Sequence, residues 1–563
     1  MSPSQKIITR LIDILSWPLW ILDFLKRNGG MRTAAVWLTV ISAFIIINYG
    51  IVAWLGVVGL VARLGLSMLM MILQFVLLFS FLSSTKTIEV YPGDIGTVTF
   101  EKDYFGNEYL VSAVRQWVES LSRDGKARLD KMGAQAINGI LLEGPPGSGK
   151  TLLAQALASD SHAAFFGLSG TDFTAMFLGV GAMKVLRIYS KARAAARTYG
   201  ACIVFIDEID SIGASRGGVT GTATMGGGLF GGGGGGLGVL SKLLTELDGT
   251  RDISRRDRIR NKWRVWFGIP EIYRGLVLTM AATNRLSVLD PALIRPGRLD
   301  KVIRVDLPDR TSRRKIIEGY LGKVKHDDSV DVDILTDDTQ GVSPAQLASA
   351  IQRSAPRYAI NDGRDYIKQS DVDAALQEDL VGLKNPIMDF DPEQKKQVAY
   401  HEAGHALVSY LEMPERRIPH VSIIRRGSGV LGYVREVEAK ETYAQPLSYY
   451  IKRIKVAVAG HIATQIALGE DWTGASADFR HVRFYMNQLA QLGHFGGIPF
   501  DESNPMEATS IKEQADKEQK KWIRETHELI HSHRDTLDRL AAALLDKEEL
   551  TSAQTYDIIR AKE

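Results

Sequence analysis

The chain has 563 residues, 45% apolar and 24% charged, a globular balance that excludes a wholly disordered or fibrous protein. Its 68 basic and 65 acidic residues leave a net charge of +3, so total charge indicates no nucleic acid or other polyanion. The single cysteine, Cys202, excludes an internal disulfide framework and a cysteine-based zinc ribbon.

Residues 6–26 are apolar but interrupted by Asp13, Pro18 and Asp23, with Trp17 and Trp20 suited to the headgroup level. The segment reads as an interfacial helix, a third span being the alternative. From Ala34 to Ser84 there are 51 residues with one charge, Arg63. A span needs about 20 apolar residues, so this stretch predicts two, Ala34–Leu55 and Leu64–Ser83. Gly56, Gly59 and Arg63 then sit in a tight turn. A soluble core helix over such a length would keep a polar face, and none is present. Lys6, Arg10, Lys26, Arg27 and Arg32 precede the first span, which places the N-terminus in the cytoplasm. Two spans return the chain to that side, so everything after Thr85 is expected there.

An α/β pattern begins near residue 139. The apolar run Gly139–Leu142 reads as a buried strand, followed by Gly144-Pro145-Pro146-Gly147-Ser148-Gly149-Lys150-Thr151 and a helix from Leu152. This is GxxxxGKT, a loop whose backbone N–H groups cradle phosphates; Lys150 reaches the β and γ phosphates and Thr151 binds Mg²⁺. A second strand, Cys202–Ile206, ends in Asp207 and Glu208, which suits Asp207 to hold Mg²⁺ through water and Glu208 to orient the attacking water. A third, Leu276–Met280, leads to Asn284, then to Arg295-Pro296-Gly297-Arg298. With these residues the chain resembles the AAA ATPases. The resemblance implies that Asn284 senses the γ-phosphate. It also implies that Arg295 and Arg298 act on the nucleotide of a neighbouring subunit.

Farther on, His401-Glu402-Ala403-Gly404-His405 is HExxH: two histidines on one helical face for Zn²⁺, with Glu402 as general base. A third protein ligand is required. His527-Glu528-Leu529-Ile530-His531 repeats the motif, but in a charged stretch whose apolar positions recur at helical spacing, so it reads as a solvated helix face. An AAA module followed by HEAGH, after two membrane spans, resembles the FtsH family of membrane-anchored, ATP-dependent zinc proteases. In that resemblance Asp103-Tyr104-Phe105-Gly106 occupies the adenine-side turn. Met176-Phe177-Leu178-Gly179 looks like the pore loop, with Phe177 gripping substrate, and Thr473–Asp478 looks like the segment giving the third zinc ligand, Asp478. His461 and His481 lie nearby and match no family ligand.

The chain also departs from the family. Only a short turn separates the spans, where most members carry a folded domain. Thr250 stands where Asp-Gly-Phe is usual, Gly341–Leu347 reads GVSPAQL for GFSGADL, and Ala463-Thr464-Gln465 replaces Ala-Glu-Glu. Gly226 to Gly238 holds ten glycines in 13 residues, and is expected to be poorly ordered. Arg251–Gly275 holds eight basic against three acidic residues, which suits a solvated loop or contact with anionic lipid or a partner.

The expected architecture is therefore multidomain. An interfacial helix and transmembrane hairpin occupy 1–90, the α/β P-loop AAA domain 98–308, its helical lid 309–385, and a mainly α zinc peptidase domain 390–563. The expected protein is an integral membrane enzyme of a bacterial-type inner membrane or an organelle equivalent, with its catalytic domains on the cytoplasmic side. The resemblance implies a homo-oligomer, a hexamer, that uses Zn²⁺, ATP and Mg²⁺ and unfolds and degrades membrane and cytoplasmic proteins. The nucleotide is expected on Tyr104, Phe105, Gly106, Pro145, Pro146, Gly147, Ser148, Gly149, Lys150, Thr151, Leu152, Asp207 and Asn284. An unfoldase with an idle protease site and a nucleotide-binding scaffold are the competing readings. The intact His401, Glu402, His405 and Asp478 speak against the first, and Glu208, Asn284, Arg295 and Arg298 against the second.

Overall fold

The computed structural model describes residues 29–561 apart from 83–86, 95–96, 120–122, 135–136, 174–179, 214–234, 250–261, 267–274, 428–430, 443 and 497–504. The segment 6–26, Phe177, most of the glycine run and all but a few residues of the basic insertion therefore lie outside the described residues. The last glycines of the run open the helix Gly235–Gly249.

The apolar N-terminal stretch forms one helical element, Gly29–Leu82, broken at Gly50 (φ 77, ψ 168). This corrects the expected position of the turn: residues 56–63 are helical. A helix-interior glycine costs only about 1 kcal/mol, and no proline or polar cluster reinforces Gly56 and Gly59. Only Gly50 takes the left-handed φ that a side chain disfavours. Among the residues whose side chains are described, no helix is long and apolar enough to cross a membrane.

The chain divides into two compact units, the N-terminal helical element belonging to the first. The first, which ends at Asp306, is built on a six-stranded sheet: β1 (Ile88–Val90), β2 (Gly139–Glu143), β3 (Ala164–Ser169), β4 (Ala201–Asp207), β5 (Leu276–Thr283) and β6 (Lys301–Arg304). The order is β1-β3-β4-β5-β2-β6, parallel except for β1 at the edge. Successive side chains of a strand point to opposite faces, and both faces here are covered. Cys202, Val204 and Ile206 enter one core with helices Val180–Tyr199 and Gly235–Gly249. Ile203 and Phe205 enter the other with helices Glu108–Glu119 and Lys150–Asp160. The strands that sequence reading passed over are β1, β3 and β6; β1 has three residues, and β3 carries Gly167 in its middle.

The second unit joins residues 105–107 to 307–563. Its first part is a helical lid: Arg310–Leu321, Val332–Asp338, Pro344–Ser349 continuing through a π turn into Ala355–Asn361, and Gln369–Val381. Asp309 and Asp331 cap the first two helices by accepting from main-chain N–H groups. The atypical Ser343-Pro344-Ala345-Gln346 sequence costs nothing locally. Pro344 sits at the first helical position, and Ser343 and Gln346 form a reciprocal capping box.

The second part combines helices Pro392–Glu412, Leu447–Leu468, Ser476–Gln491, Pro505–Ser532, Arg534–Lys547 and Ser552–Arg560 with a three-stranded antiparallel sheet. Its strands are β7 (Arg416–Ser422), β8 (Tyr433–Glu438) and β9 (Glu549–Thr551), ordered β8-β7-β9. The connection between the two parts is held like a further strand: Lys384 bridges to Arg426, the Asn385 N–H donates to the Arg425 carbonyl (2.8 Å), and the Gly427 N–H donates to that of Leu383 (3.1 Å).

Candidate functional site

In the first unit the loop Gly144–Gly149 leaves the carboxyl end of β2 and opens the helix Lys150–Asp160. Gly147 and Gly149 take left-handed φ values of 75° and 92°, and a Cβ on Gly144 would lie 2.1 Å from the Val305 carbonyl oxygen. The turn therefore needs glycine for conformation at two positions and for space at a third. Lys150 Nζ donates to the carbonyls of Gly144 (2.9 Å) and Pro145 (2.8 Å) and to Asn284 Oδ1 (2.9 Å). Burial lowers its pKa, partly opposed by Asp207. Thr151 Oγ1 donates to Asp207 Oδ2 (2.8 Å), so the two groups predicted to share Mg²⁺ are adjacent.

Glu208 is exposed and adopts φ 49, a conformation uncommon for non-glycine residues and often found at active sites. The turn is pinned: the Glu208 N–H donates to Asp207 Oδ1 (2.9 Å) and the Ile209 N–H to the Ala282 carbonyl (3.0 Å). The two predicted fingers differ. Arg295 is exposed, whereas Arg298 forms a bidentate pair with Asp248 (2.7 Å at both oxygens) and donates to the Ala292 carbonyl (2.6 Å). Tyr104 is buried in the core of this unit. Phe105 and Gly106 belong to the second unit, where they pack on the lid helix Arg310–Leu321.

The metal centre lies where helices Pro392–Glu412 and Leu447–Leu468 cross. Their close approach depends on small residues: a Cβ on Gly404 would lie 2.5 Å from that of Ala463 and 2.7 Å from the Ala459 carbonyl oxygen. His401 and His405, one helical turn apart, face Asp478 at the start of helix Ser476–Gln491. His401 Nε2 lies 3.1 Å from Asp478 Oδ2 and 3.2 Å from His405 Nε2; His405 Nε2 lies 3.6 Å from Asp478 Oδ2. Tetrahedral zinc with ligands at about 2.0–2.1 Å requires neighbouring donor atoms about 3.3 Å apart. The three donors thus occupy three corners of such a site, and the group fits zinc. They are the one such His and carboxylate cluster among the described residues.

His405 Nδ1 donates to the Val456 carbonyl (2.7 Å), which turns Nε2 towards the centre. Gly460 supplies the room: a Cβ there would come within 2.5 Å of His405 Nε2. Sequence reading found neither partner, because nothing local marks a carbonyl 51 residues away. Burial alone would lower the His405 imidazole, but the Asp478 carboxylate outweighs it and sets the pKa at about 9. Burial keeps His401 below the ordinary value. Against the opposing effect of burial, the two imidazoles hold Asp478 well below the usual carboxylate range.

Glu402 is buried beside this group, and burial pushes its carboxyl up to about 7. A cavity of about 560 Å³ opens onto it, walled by Leu431–Val434 on and before β8, by Val456 and Ala457, and by Tyr485. A half-buried ion pair between Arg453 and Glu436 borders the same space. His461 lies 3.5 Å from Asp471, and His481 lines the cavity; neither joins the cluster. The second HExxH falls on helix Pro505–Ser532 with His527, Glu528 and His531 exposed; of the apolar positions expected to recur on the buried side, Trp522, Leu537, Leu540 and Leu544 are buried and Leu529 is half-buried, and Thr526 and Ile530 are buried as well.

Residues 140–307 match the model of the ATPase family associated with various cellular activities (AAA), and residues 388–558 that of peptidase family M41. The chain is 34% identical over 485 residues to the ATP-dependent zinc metalloprotease FtsH 2 of Methylacidiphilum infernorum, covering 82% of this chain and 69% of that protein. It is 32% identical over 501 residues to the ATP-dependent zinc metalloprotease FtsH of Thermotoga maritima, covering 85% of this chain and 76% of the relative. A third relative, FtsH of Pseudothermotoga lettingae, is 32% identical over 536 residues, 90% of this chain and 79% of its own length.

Proposed function

The chain belongs to the FtsH family of ATP-dependent zinc metalloproteases, and from that premise we propose that it is a membrane-anchored, ring-forming endopeptidase that unfolds, translocates and degrades membrane and cytoplasmic proteins. The observation that carries the reading is the tetrahedral spacing of His401, His405 and Asp478 beside the buried Glu402. The division of labour follows the chain: residues 98–308 bind and hydrolyse ATP, 309–385 form the lid, and 390–563 cut. Residues 1–90 anchor the assembly, an assignment supported by the exposed apolar side chains of Leu60, Val61, Leu64, Leu66 and Met68. The catalytic parts then lie on the cytoplasmic face, or its organelle equivalent.

His401, His405 and Asp478 would hold Zn²⁺, and Thr151 and Asp207 would hold Mg²⁺, the latter through water; when bound, these ions would supply Lewis acidity to carbonyl and phosphoryl oxygens. Glu402 takes a proton from the attacking water and returns it to the leaving amine. Its burial beside the cluster, at the wall of the cavity, places its carboxylate to make both transfers. Strand β8 is the edge of its sheet and borders the cavity, so an extended substrate adds to it as a further strand. In the first unit Lys150 moves from the loop carbonyls to the phosphates, Asn284 reads the γ-phosphate, and Glu208 orients water. Arg295 reaches the neighbouring subunit's nucleotide, joined by Arg298 once it leaves Asp248. Phe177 pulls substrate through the ring, a hexamer.

The test is degradation of a permanently unfolded protein and of a folded one, with and without ATP, before and after chelation. Cleavage of both must require metal, and cleavage of the folded protein must require ATP. Metal-independent cleavage would refute the reading.

A further inference from the structure

Strand β8 walls the metal cavity, and the residue just before it, Gly432, sits against Glu402 with no room for a Cβ. The lid holds the same strand at three points. The Tyr433 hydroxyl donates to Gln377 Oε1 (2.9 Å), Arg435 Nη2 to the Asp338 carbonyl (2.6 Å), and the Glu438 N–H to Gln340 Oε1 (2.7 Å). Neighbouring β7 adds Arg417, paired with Asp337 (3.1 Å) and Asp338 (3.3 Å).

The Arg435 contact has a specific chemistry. Asp338 is the last residue of the helix Val332–Asp338, and a helix leaves its last carbonyls without intrahelical partners. A guanidinium from the peptidase part satisfies one of them, at the end of the helix dipole that favours a cation. The lid helix is thus completed by a residue of β8. The donor is charged and only half-buried, and a charge-assisted bond of this kind is stronger than one between neutral groups.

The far end of the lid touches the adenine-side turn. The Asn107 N–H donates to Ser312 Oγ (3.0 Å), and Gly106 packs so closely on Ser312 that a Cβ would lie 2.8 Å from its carbonyl oxygen. The Phe105 ring stands edge-on to Tyr320, with 5.7 Å between centroids. The helix carrying Ser312 and Tyr320 shares a core with the helix ending at Asp338, through Ile316, Ile317 and Leu335. It also sends the buried Arg313 to Glu441 (3.1 Å), three residues beyond β8.

We propose that Arg435 and Gln340 are positioning residues for peptide hydrolysis: through them the lid, responding to nucleotide at Phe105–Asn107, sets where β8 holds Gly432 and the substrate strand against Glu402. The inference rests on the reading of Phe105 and Gly106 as nucleotide contacts and Glu402 as general base. Nucleotide therefore acts on the peptidase centre directly, besides any mechanical pulling of substrate. A peptide too short to need unfolding isolates this effect.

The experiment measures kcat and KM for a short quenched-fluorescence peptide with the full chain, nucleotide-free, with ADP and with a non-hydrolysable ATP analogue. ATPase rate and zinc content are recorded alongside. The wild-type kcat should differ between the extreme nucleotide states by about fivefold or more, the low end of ordinary allosteric coupling. In Arg435→Met and in Gln340→Ala the ratio should collapse to within about twofold, with ATPase rate and zinc content preserved. If Arg435→Met fails to fold, Gln340→Ala, which keeps every ion pair, decides alone. Wild-type nucleotide dependence retained in Gln340→Ala, or a uniform loss of activity in all nucleotide states, overturns the proposal. So does a wild-type enzyme that hydrolyses ATP and peptide with no dependence of one on the other. A wild-type enzyme without metal-dependent peptide cleavage would instead overturn the functional reading beneath it.

Discussion

Replacing Gly432 by alanine should disable peptide hydrolysis without touching the metal or the ATPase. The added methyl carbon would lie 2.7 Å from Glu402 Oε1, 2.8 Å from Cγ and 3.0 Å from Cδ. Ordinary contact begins at 3.4 Å, so either Glu402 or β8 must give by about 0.7 Å. Because the clash includes Cγ, a turn of the terminal carboxylate alone does not relieve it. Misplacing a catalytic group by about 1 Å costs on the order of 100-fold, so a kcat loss of about 10- to 100-fold is expected, or about 1.4–2.7 kcal/mol of barrier. The assay is cleavage of a short fluorogenic peptide, with zinc content and ATPase rate measured on the same preparation. Gly460→Ala is the internal control, because its methyl would lie 2.5 Å from His405 Nε2 and 2.7 Å from His401 Cε1. That variant should lose zinc as well as activity. A Gly432→Ala enzyme within about twofold of wild-type kcat would refute the placement of Glu402 as the base.

Three further outcomes are expected. Glu402→Gln should keep zinc and ATPase activity and abolish cleavage of every peptide, read by the same assays, since an amide cannot accept the proton. Lys150→Ala should abolish degradation of folded proteins, which are stable by about 5–15 kcal/mol, while cleaving short peptides at the rate of the nucleotide-free wild type; loss of zinc or of peptide cleavage below that rate would contradict separate centres. Asp373→Asn should stabilise the lid at neutral pH. Burial pushes the Asp373 carboxyl from 3.8 up to about 6, so folding favours its protonated form, and that contribution is lost as pH rises from about 4 through 6. At pH 7–8 the asparagine variant should therefore melt higher, by about 1–3 kcal/mol of stability, with the advantage gone below pH 4; a pH-independent difference in melting temperature would count against it.

Much of the chemistry was legible because it is written in contiguous residues. A phosphate loop, an acidic pair after an apolar strand and HExxH each carry their meaning within a few positions. The charged surroundings and helical period also separated the two HExxH motifs, since His527 and His531 are exposed while Trp522 is buried. Asp478 was reached through family resemblance, and spacing could not have chosen it. What stayed hidden joins distant segments: the Val456 carbonyl on His405, the space left by Gly460, and the ties from the lid to β8. Two glycines in an apolar stretch also suggested a turn at 56–63. Helix continues there because apolar helices tolerate glycine, and the break falls at Gly50, where φ is positive.

The strand-like seating of residues 382–385 dictates where the chain can be divided. The peptidase family model begins at residue 388, which invites excision of the protease from that point. Such a fragment would shed the main-chain partners of Arg425 and Gly427, and the Gly382 carbonyl that accepts from Arg426 Nη1 at 3.1 Å. Arg426 is 2% exposed and would keep its place over the Tyr433 ring (5.7 Å) and its pair with Glu549 (2.8 Å), itself also held by Lys384 (2.5 Å) in the lost segment. Leaving a buried cation short of partners costs several kcal/mol, a large share of the stability of a small domain. The natural seam therefore lies upstream of Gly382, and a soluble protease fragment begun there keeps its own edge.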